Sequence, residues 1–373
     1  MNEVHSRVQH LLDRRVACDA ERGAQVAAYY QGELIVDAWA GVADPASGRM
    51  VDGETLFCVF SMSKGVTATA IHQLVERGQI GYDTPIAAVW PEFGANGKQR
   101  ITVRHVLAHT AGVPQMPEQT TPESMCDWEY QCRALAEAQP LWEPGTATGY
   151  HGVTMGWILG EVLRRVDGRS IAAYVRDEIC ATLGIDTLYY GIDDTAEPRV
   201  ATLESGEGHP WPEPPPGHLL ARAIPGSIQP FADVMNRADV RRACLPASGV
   251  ITNARAIALH YAALAGAAPG GVRLLPPERV RAATELQTDA HDLVIEYAVR
   301  KALGYWLGEP ESAIGSRISA FGHPGAGGSL GFADPEYRFA CAITKNRLSN
   351  VPPEEDLATL VAHEIRDALG IPQ

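Results

Sequence analysis

Residues 61–64 read Ser61-Met62-Ser63-Lys64 and run straight into Gly65–Glu76, GVTATAIHQLVE. On a helix, residues three apart share a face, so the Ser61 hydroxyl and the Lys64 amine are placed to meet. The chemistry needs that closeness, because serine is a poor nucleophile until an adjacent base removes its proton. With 14 Ser and 4 Lys among 373 residues, random placement gives about 0.15 matches to S-x-x-K, so the motif is suggestive on its own. The plain alternative is a solvated lysine in the first turn of an amphipathic helix, with Ser61 as its cap.

The surroundings favour chemistry. A short apolar run, Glu54–Phe60 (ETLFCVF), precedes the motif. After it Val66, Ala70, Leu74 and Val75 recur with helical spacing, and Gly78 is a stop signal. Ser61 is therefore expected at a helix N-terminus, where free backbone N–H groups favour a developing oxyanion.

Outward from the motif, an opening helix is expected over Glu3–Glu21. Two strand-like runs, Gln25–Tyr30 and Glu33–Trp39, flank Gln31-Gly32 and read as a β-hairpin. From Gln79 to about Leu245 the pattern is helical with long loops. Strands return at Gly328–Ala333 and Arg338–Thr344, and a last helix is expected over Glu354–Leu369. Strands at both chain ends with helices between them predict an α/β (α+β) fold. Residues 1–78 and 246–373 would form the sheet-bearing lobe, and 79–245 a helical lobe inserted in it. Gly206–Pro230 holds seven prolines and is expected to be a long semi-rigid loop bordering a pocket, with Trp211 and Leu219 as its apolar contacts.

A hydrophobic content of 46% with 20% charged residues is ordinary for a globular protein with a large core. The net charge of −14 argues against nucleic acid or an anionic membrane surface as partner. Met1–Arg15 is charged and lacks the apolar centre of a signal peptide, which leads us to expect a cytoplasmic protein. The seven cysteines are odd in number, form no C-x-x-C pair, and are expected as reduced thiols. No H-E-x-x-H motif or His/Asp cluster suggests a metal, and no cofactor is implied.

A serine and a lysine alone leave the leaving group without an acid. Trp142–Gly152 (WEPGTATGYHG) passes through a Pro-Gly turn to Tyr150 at a loop-to-helix junction, a place from which side chains often face a cleft. Phe321–Phe332 (FGHPGAGGSLGF) is rich in glycine and enters a strand, so backbone there can approach a ligand closely. An edge strand presenting an N–H near Ala326 is the functional reading, and a tight turn is the structural one.

These pieces resemble the serine β-lactamase and penicillin-binding-protein superfamily, and most of all its family VIII carboxylesterases. The resemblance runs through the hairpin, SMSKGVTATAIHQLVERGQI, YDTPIAAVWPEF, ITVRHVLAHTAGVP, WEPGTATGYHGVTMGWILGEV and GHPGAGGSLGFADP. It implies an antiparallel sheet flanked by helices, with an all-α domain inserted. It also implies that Ser61 is acylated, Lys64 accepts its proton, and Tyr150 passes a proton to the leaving group. The N–H groups of Ser61 and Ala326 would form the oxyanion hole. His323 would hold the place of the lysine or histidine in the family's third motif, with Gly325 keeping the strand accessible and His151 beside the substrate.

Two departures bear on substrate. Where lactam- and peptide-cleaving relatives carry Tyr-x-Asn, this chain has Tyr150-His151-Gly152, which lacks the amide. His323 replaces lysine, and near neutral pH it is a weaker anchor for a carboxylate. Both departures favour a plain ester of small or medium size as the substrate. An acyl acceptor other than water would turn the same half-reaction into acyl transfer. A lactam- or peptide-cleaving enzyme and a non-catalytic ligand-binding protein are weaker readings, since a pure binder needs no activated nucleophile. Gly327-Gly328-Ser329-Leu330-Gly331 also matches the G-x-S-x-G elbow of α/β-hydrolases. An elbow opens a helix, however, and Phe332–Thr344 (FADPEYRFACAIT) reads as turn and strand.

Overall fold

The computed structural model describes residues 3–208, 214–215, 217–229 and 231–373. Its centre is a seven-stranded sheet of β1 (Gly23–Tyr30), β2 (Glu33–Asp44), β3 (Arg49–Met50), β4 (Trp306–Leu307), β5 (Phe321–Pro324), β6 (Leu330–Asp334) and β7 (Phe339–Lys345). The spatial order is β3-β2-β1-β7-β6-β5-β4, with every neighbouring pair antiparallel. The sheet thus joins the two ends of the chain: Val26 of β1 stands opposite Ile343 of β7.

Strand periodicity sorts the side chains to two cores. Ala24, Val26 and Ala28 pack with helices α1 (Glu3–Ala17) and α5 (Leu357–Leu369) on one face. Ala27 and Tyr29 face the other core, which holds α2 (Ser63–Glu76), α3 (Thr154–Asp167) and α4 (Ala254–Ala265). Because β1 is covered on both faces, seven of its eight residues are buried and its sequence, GAQVAAYY, has no polar alternation. The alanine-rich α4 lies close against the sheet. Gly331 of β6 makes room for it, since a Cβ there would stand 2.6 Å from Ile257 and 2.8 Å from Tyr261.

Helix α2 is buried on nearly every side, from Ser63 through Leu74. It is therefore less the amphipathic surface helix its apolar spacing suggests than a core element, and its small residues Gly65, Ala68 and Ala70 allow the close packing. Arg77 caps it and Gly78 turns away at φ +68°, as the stop signal predicts. The opening helix ends at Ala17, four residues short of expectation, because Asp19 adopts φ +59° and breaks it. The last helix begins at Leu357, where the Asp356 carboxylate accepts the Thr359 N–H.

The proline-rich segment is more structured than a bare loop. Just before it Glu204–Ser205 pairs in parallel with Arg347–Leu348, and within it short helical turns form at Leu219–Ala223 and Gly226–Ile228. Trp211 lies outside the described residues.

Candidate active site

Ser61 stands where the chain leaves the strand Phe57–Cys58 and enters α2 through a 3₁₀ turn, Phe60–Met62. Phe60 has φ +47°, an unfavourable backbone for a bulky residue. Two contacts hold it there: the Ser63 hydroxyl donates to the Phe60 carbonyl, and the Phe60 ring lies 6.0 Å from that of Phe231. The turn detaches Ser61 from the helix proper and sets it in the wall of a cavity of about 700 Å³.

Three side chains meet at the Ser61 oxygen. Lys64 Nζ is 3.0 Å from Ser61 Oγ, and the Tyr150 hydroxyl is 2.8 Å from it on another side. Lys64 is fully buried, and it also donates to the carbonyl oxygens of Gly152 at 2.6 Å and Ala247 at 2.9 Å. Burial pushes the lysine's pKa well below its ordinary value. A neutral amine has two N–H groups and one lone pair. In that form the two carbonyls would accept the N–H groups and the lone pair would face the Ser61 hydroxyl, an arrangement that would suit a general base. Burial drives Tyr150 the other way, raising its pKa and keeping the phenol protonated as a donor to Ser61.

Tyr150 is fixed from several directions. Its ring packs 5.0 Å from that of His109, 6.0 Å from Trp306 and 6.2 Å from His323. Its N–H donates to Asp292 Oδ1 at 3.0 Å, and the next N–H, of His151, donates to His109 Nδ1 at 3.0 Å. His109 itself has φ +61°, and its carbonyl accepts the Gly149 N–H at 3.0 Å. Neither His109 nor Asp292 stands out in the sequence as a site residue.

The other expected residues divide into two groups. Ala326 and Gly325 line the cavity with Ser61. Ala326 lies in the turn between β5 and β6, not on an edge strand as read from the sequence, because Gly327 and Gly328 at φ +81° and +101° bend the chain there. Gly325 is needed for close approach: a Cβ would stand 2.4 Å from the Val59 carbonyl, two residues before Ser61. His151 and His323 lie behind this surface. His151 Nε2 accepts the Val113 N–H at 3.1 Å and its Nδ1 lies 2.7 Å from the Gly149 carbonyl, so both ring nitrogens serve the backbone. His323 is fully buried behind Tyr150 and Trp306, its Nδ1 2.7 Å from the Pro324 carbonyl. Burial, reinforced by Lys64, pushes its pKa down to about 3. Ser329 opens strand β6 with no helix behind it, and its carbonyl accepts the Gly325 N–H at 2.7 Å, so it is no nucleophile elbow.

The cavity has two kinds of wall. One is apolar and is built from Phe60, Met125, Ile224, Ile228, Phe231 and Met235. The other carries the charged side chains that line it among the described residues, Glu309, Glu311 and Asp356, all of them acidic.

A family model described as Beta-lactamase matches residues 8–365. The chain belongs to the beta-lactamase family. Within that family it is 33% identical over 365 residues to the Esterase/beta-lactamase LipL of Mycobacterium tuberculosis, covering 93% of this chain and 82% of LipL. A crystal structure of a family VIII carboxylesterase superposes with a TM-score of 0.88 at 31% identity, covering 97% of this chain and 98% of that one. A penicillin-binding-protein homologue from Caulobacter crescentus superposes with a TM-score of 0.87 at 34% identity and the same coverage of each chain. Membership and esterase-named relatives make the protein an enzyme of the serine-hydrolase type, and the antiparallel sheet flanked by helices is the family's fold.

Proposed function

We propose that this protein is a carboxylesterase that hydrolyses small to medium esters through an acyl-enzyme on Ser61. The observation that carries the reading is the placement of Ser61 Oγ, 3.0 Å from Lys64 Nζ and 2.8 Å from the Tyr150 hydroxyl, in the wall of a largely apolar cavity. Ser61 attacks the ester carbonyl as Lys64 takes its proton. The backbone N–H groups of Ser61 and Ala326 receive the oxyanion, which collapses as Tyr150 hands a proton to the departing alcohol. Water then enters and the same groups run the steps in reverse to release the acid.

Ester is favoured over lactam or peptide for two reasons. Gly152 supplies no side-chain amide, and the acidic wall opposes the carboxylate that such substrates carry. His323 is buried neutral behind the aromatic rings, away from the lining. The test compares kcat/KM for p-nitrophenyl butyrate with that for a chromogenic cephalosporin, the ester assay being run with and without added alcohol. The ester is expected to be preferred, with water as the acceptor. Faster lactam opening would overturn the reading, and ester product growing at the expense of acid would make the protein an acyltransferase.

A further inference from the structure

Asp292 and Lys301 form a fully buried ion pair that the acyl-transfer chemistry does not use, with Lys301 Nζ 2.7 Å from Asp292 Oδ2 and 3.0 Å from Thr148 Oγ1. Burying two charges is costly, and well-packed apolar residues often replace such a pair without loss of stability. What apolar residues could not replace is the other carboxylate oxygen. Asp292 Oδ1 accepts three backbone N–H groups: Val294 at 2.8 Å, Ile295 at 3.0 Å and Tyr150 at 3.0 Å. The first two close its own turn, as an aspartate in a loop commonly does. The third reaches across 142 residues of sequence to the residue whose hydroxyl touches Ser61.

We propose that Asp292, held by Lys301, is a positioning residue for Tyr150. The extended stretch that carries Tyr150 has no helix or sheet ladder to hold it. Its backbone is tied by two side chains in succession, Asp292 on the Tyr150 N–H and His109 on the His151 N–H. Lys301 completes the clamp by binding both the carboxylate and Thr148, two residues before Tyr150. Leu293 N–H also donates to the Thr148 carbonyl at 2.9 Å, so segments 148–150 and 292–301 are tied together at several points. The inference rests on Tyr150 acting as proton donor to the leaving group, and the experiment separates the two claims.

The substrates are ethyl butyrate, whose alkoxide must be protonated as it leaves, and p-nitrophenyl butyrate, whose phenolate need not be. Tyr150→Phe sets the reference, with a loss of kcat/KM, which reports acylation and not the deacylation both esters share, about 10-fold or more greater on the ethyl ester. Asp292→Ala/Lys301→Met removes the acceptor without stranding a charge and is expected to reproduce that selective loss at little-changed KM. Combined with Tyr150→Phe it should add almost nothing, because the two changes disable one device. Asp292→Asn/Lys301→Met keeps the acceptor oxygen and is expected to restore kcat/KM on the ethyl ester to within several-fold of wild type. If the alanine variant does not fold, Asp292→Leu/Lys301→Met, which also removes the acceptor but fills the space, must show the same ester selectivity and the same coupling. Equal losses on both esters, or losses that multiply with those of Tyr150→Phe, would show a merely structural pair and overturn the inference while leaving the Tyr150 reading intact. A Tyr150→Phe enzyme without selective loss would overturn both.

Discussion

Lys64 Nζ sits 4.8 Å from the centroid of the Tyr150 ring, so Lys64 and Tyr150 touch each other as well as Ser61. The electron-rich ring face attracts an ammonium far more than a neutral amine. Burial favours the neutral amine before reaction, and the ring then lessens the cost of the positive charge once Lys64 has taken the serine proton. On the proposed mechanism, burial drives Lys64 toward its neutral form and the ring contact favours it as it takes the proton.

Lys64→Arg is expected to be nearly as inactive as Lys64→Ala, each losing on the order of 10³-fold in kcat, because a guanidinium does not give up its proton in the working range. In the wild type the active form is the neutral amine, so kcat/KM should rise with pH through the lowered Lys64 pKa and then level off. A pH–rate profile on the butyrate ester checks this. An arginine variant retaining about a tenth of wild-type activity would remove the general-base role.

Gly325→Ala should damage the oxyanion site while sparing the rest of the fold. The added Cβ would stand 2.4 Å from the Val59 carbonyl, so the β5–β6 turn carrying Ala326 must move away from Ser61. Loss of one oxyanion donor elsewhere costs about 10²–10³-fold in kcat, and a loss of that size at nearly unchanged KM is expected. An alanine variant with wild-type kcat would place the oxyanion donor elsewhere.

Ile224 is half-buried in the apolar wall, and its Cδ1 lies 3.5 Å from where a Cβ on Gly152 would stand. Ile224→Ala should favour longer acyl or alcohol chains, and Ile224→Phe shorter ones, each with a smaller effect on Tm than on the selectivity profile. An ester series of increasing chain length reads the shift. An unchanged profile in both variants would put the pocket wall elsewhere.

Acid should destabilise the protein well before its carboxylates titrate. Burial pushes His72, His260 and His323 down to about 3 and His151 to about 4. Below about pH 6.5 the unfolded chain binds protons at these histidines that the folded one refuses, so stability falls as pH falls through the window from 6.5 to about 4. Each histidine contributes up to about 1.4 kcal/mol per pH unit there. Thermal melts from pH 7.5 to 4.5 should show Tm dropping steeply below 6.5, and a flat Tm would mean these side chains are charged or solvated in the folded state.

The Ser61–Lys64 contact is legible in the sequence because a helical turn converts a spacing of three into contact, and the hairpin because Gln31-Gly32 breaks two apolar runs. Ala326 sits in a turn where a strand is expected, since glycines that open a turn and glycines that expose a strand look alike in sequence. Asp292 and His109 are invisible there for a different reason: both act on backbone N–H groups far along the chain, and no local pattern marks such a bond. Composition does carry one further signal. The chain has 27 arginines but only four lysines, and all four lysines are buried, each bound to carbonyls, hydroxyls or a carboxylate. Lysine in this chain is kept for interior positions, where its charge needs a buried partner such as the Asp292 that Lys301 meets.

A fluorophosphonate probe followed by peptide mapping reads whether Ser61 carries the acyl group. A single adduct is expected on the peptide containing Ser61, absent from Ser61→Ala, with ester turnover lost by on the order of 10³-fold or more in the same variant. Label on the peptide containing Ser329, or ester hydrolysis that survives Ser61→Ala, would contradict it.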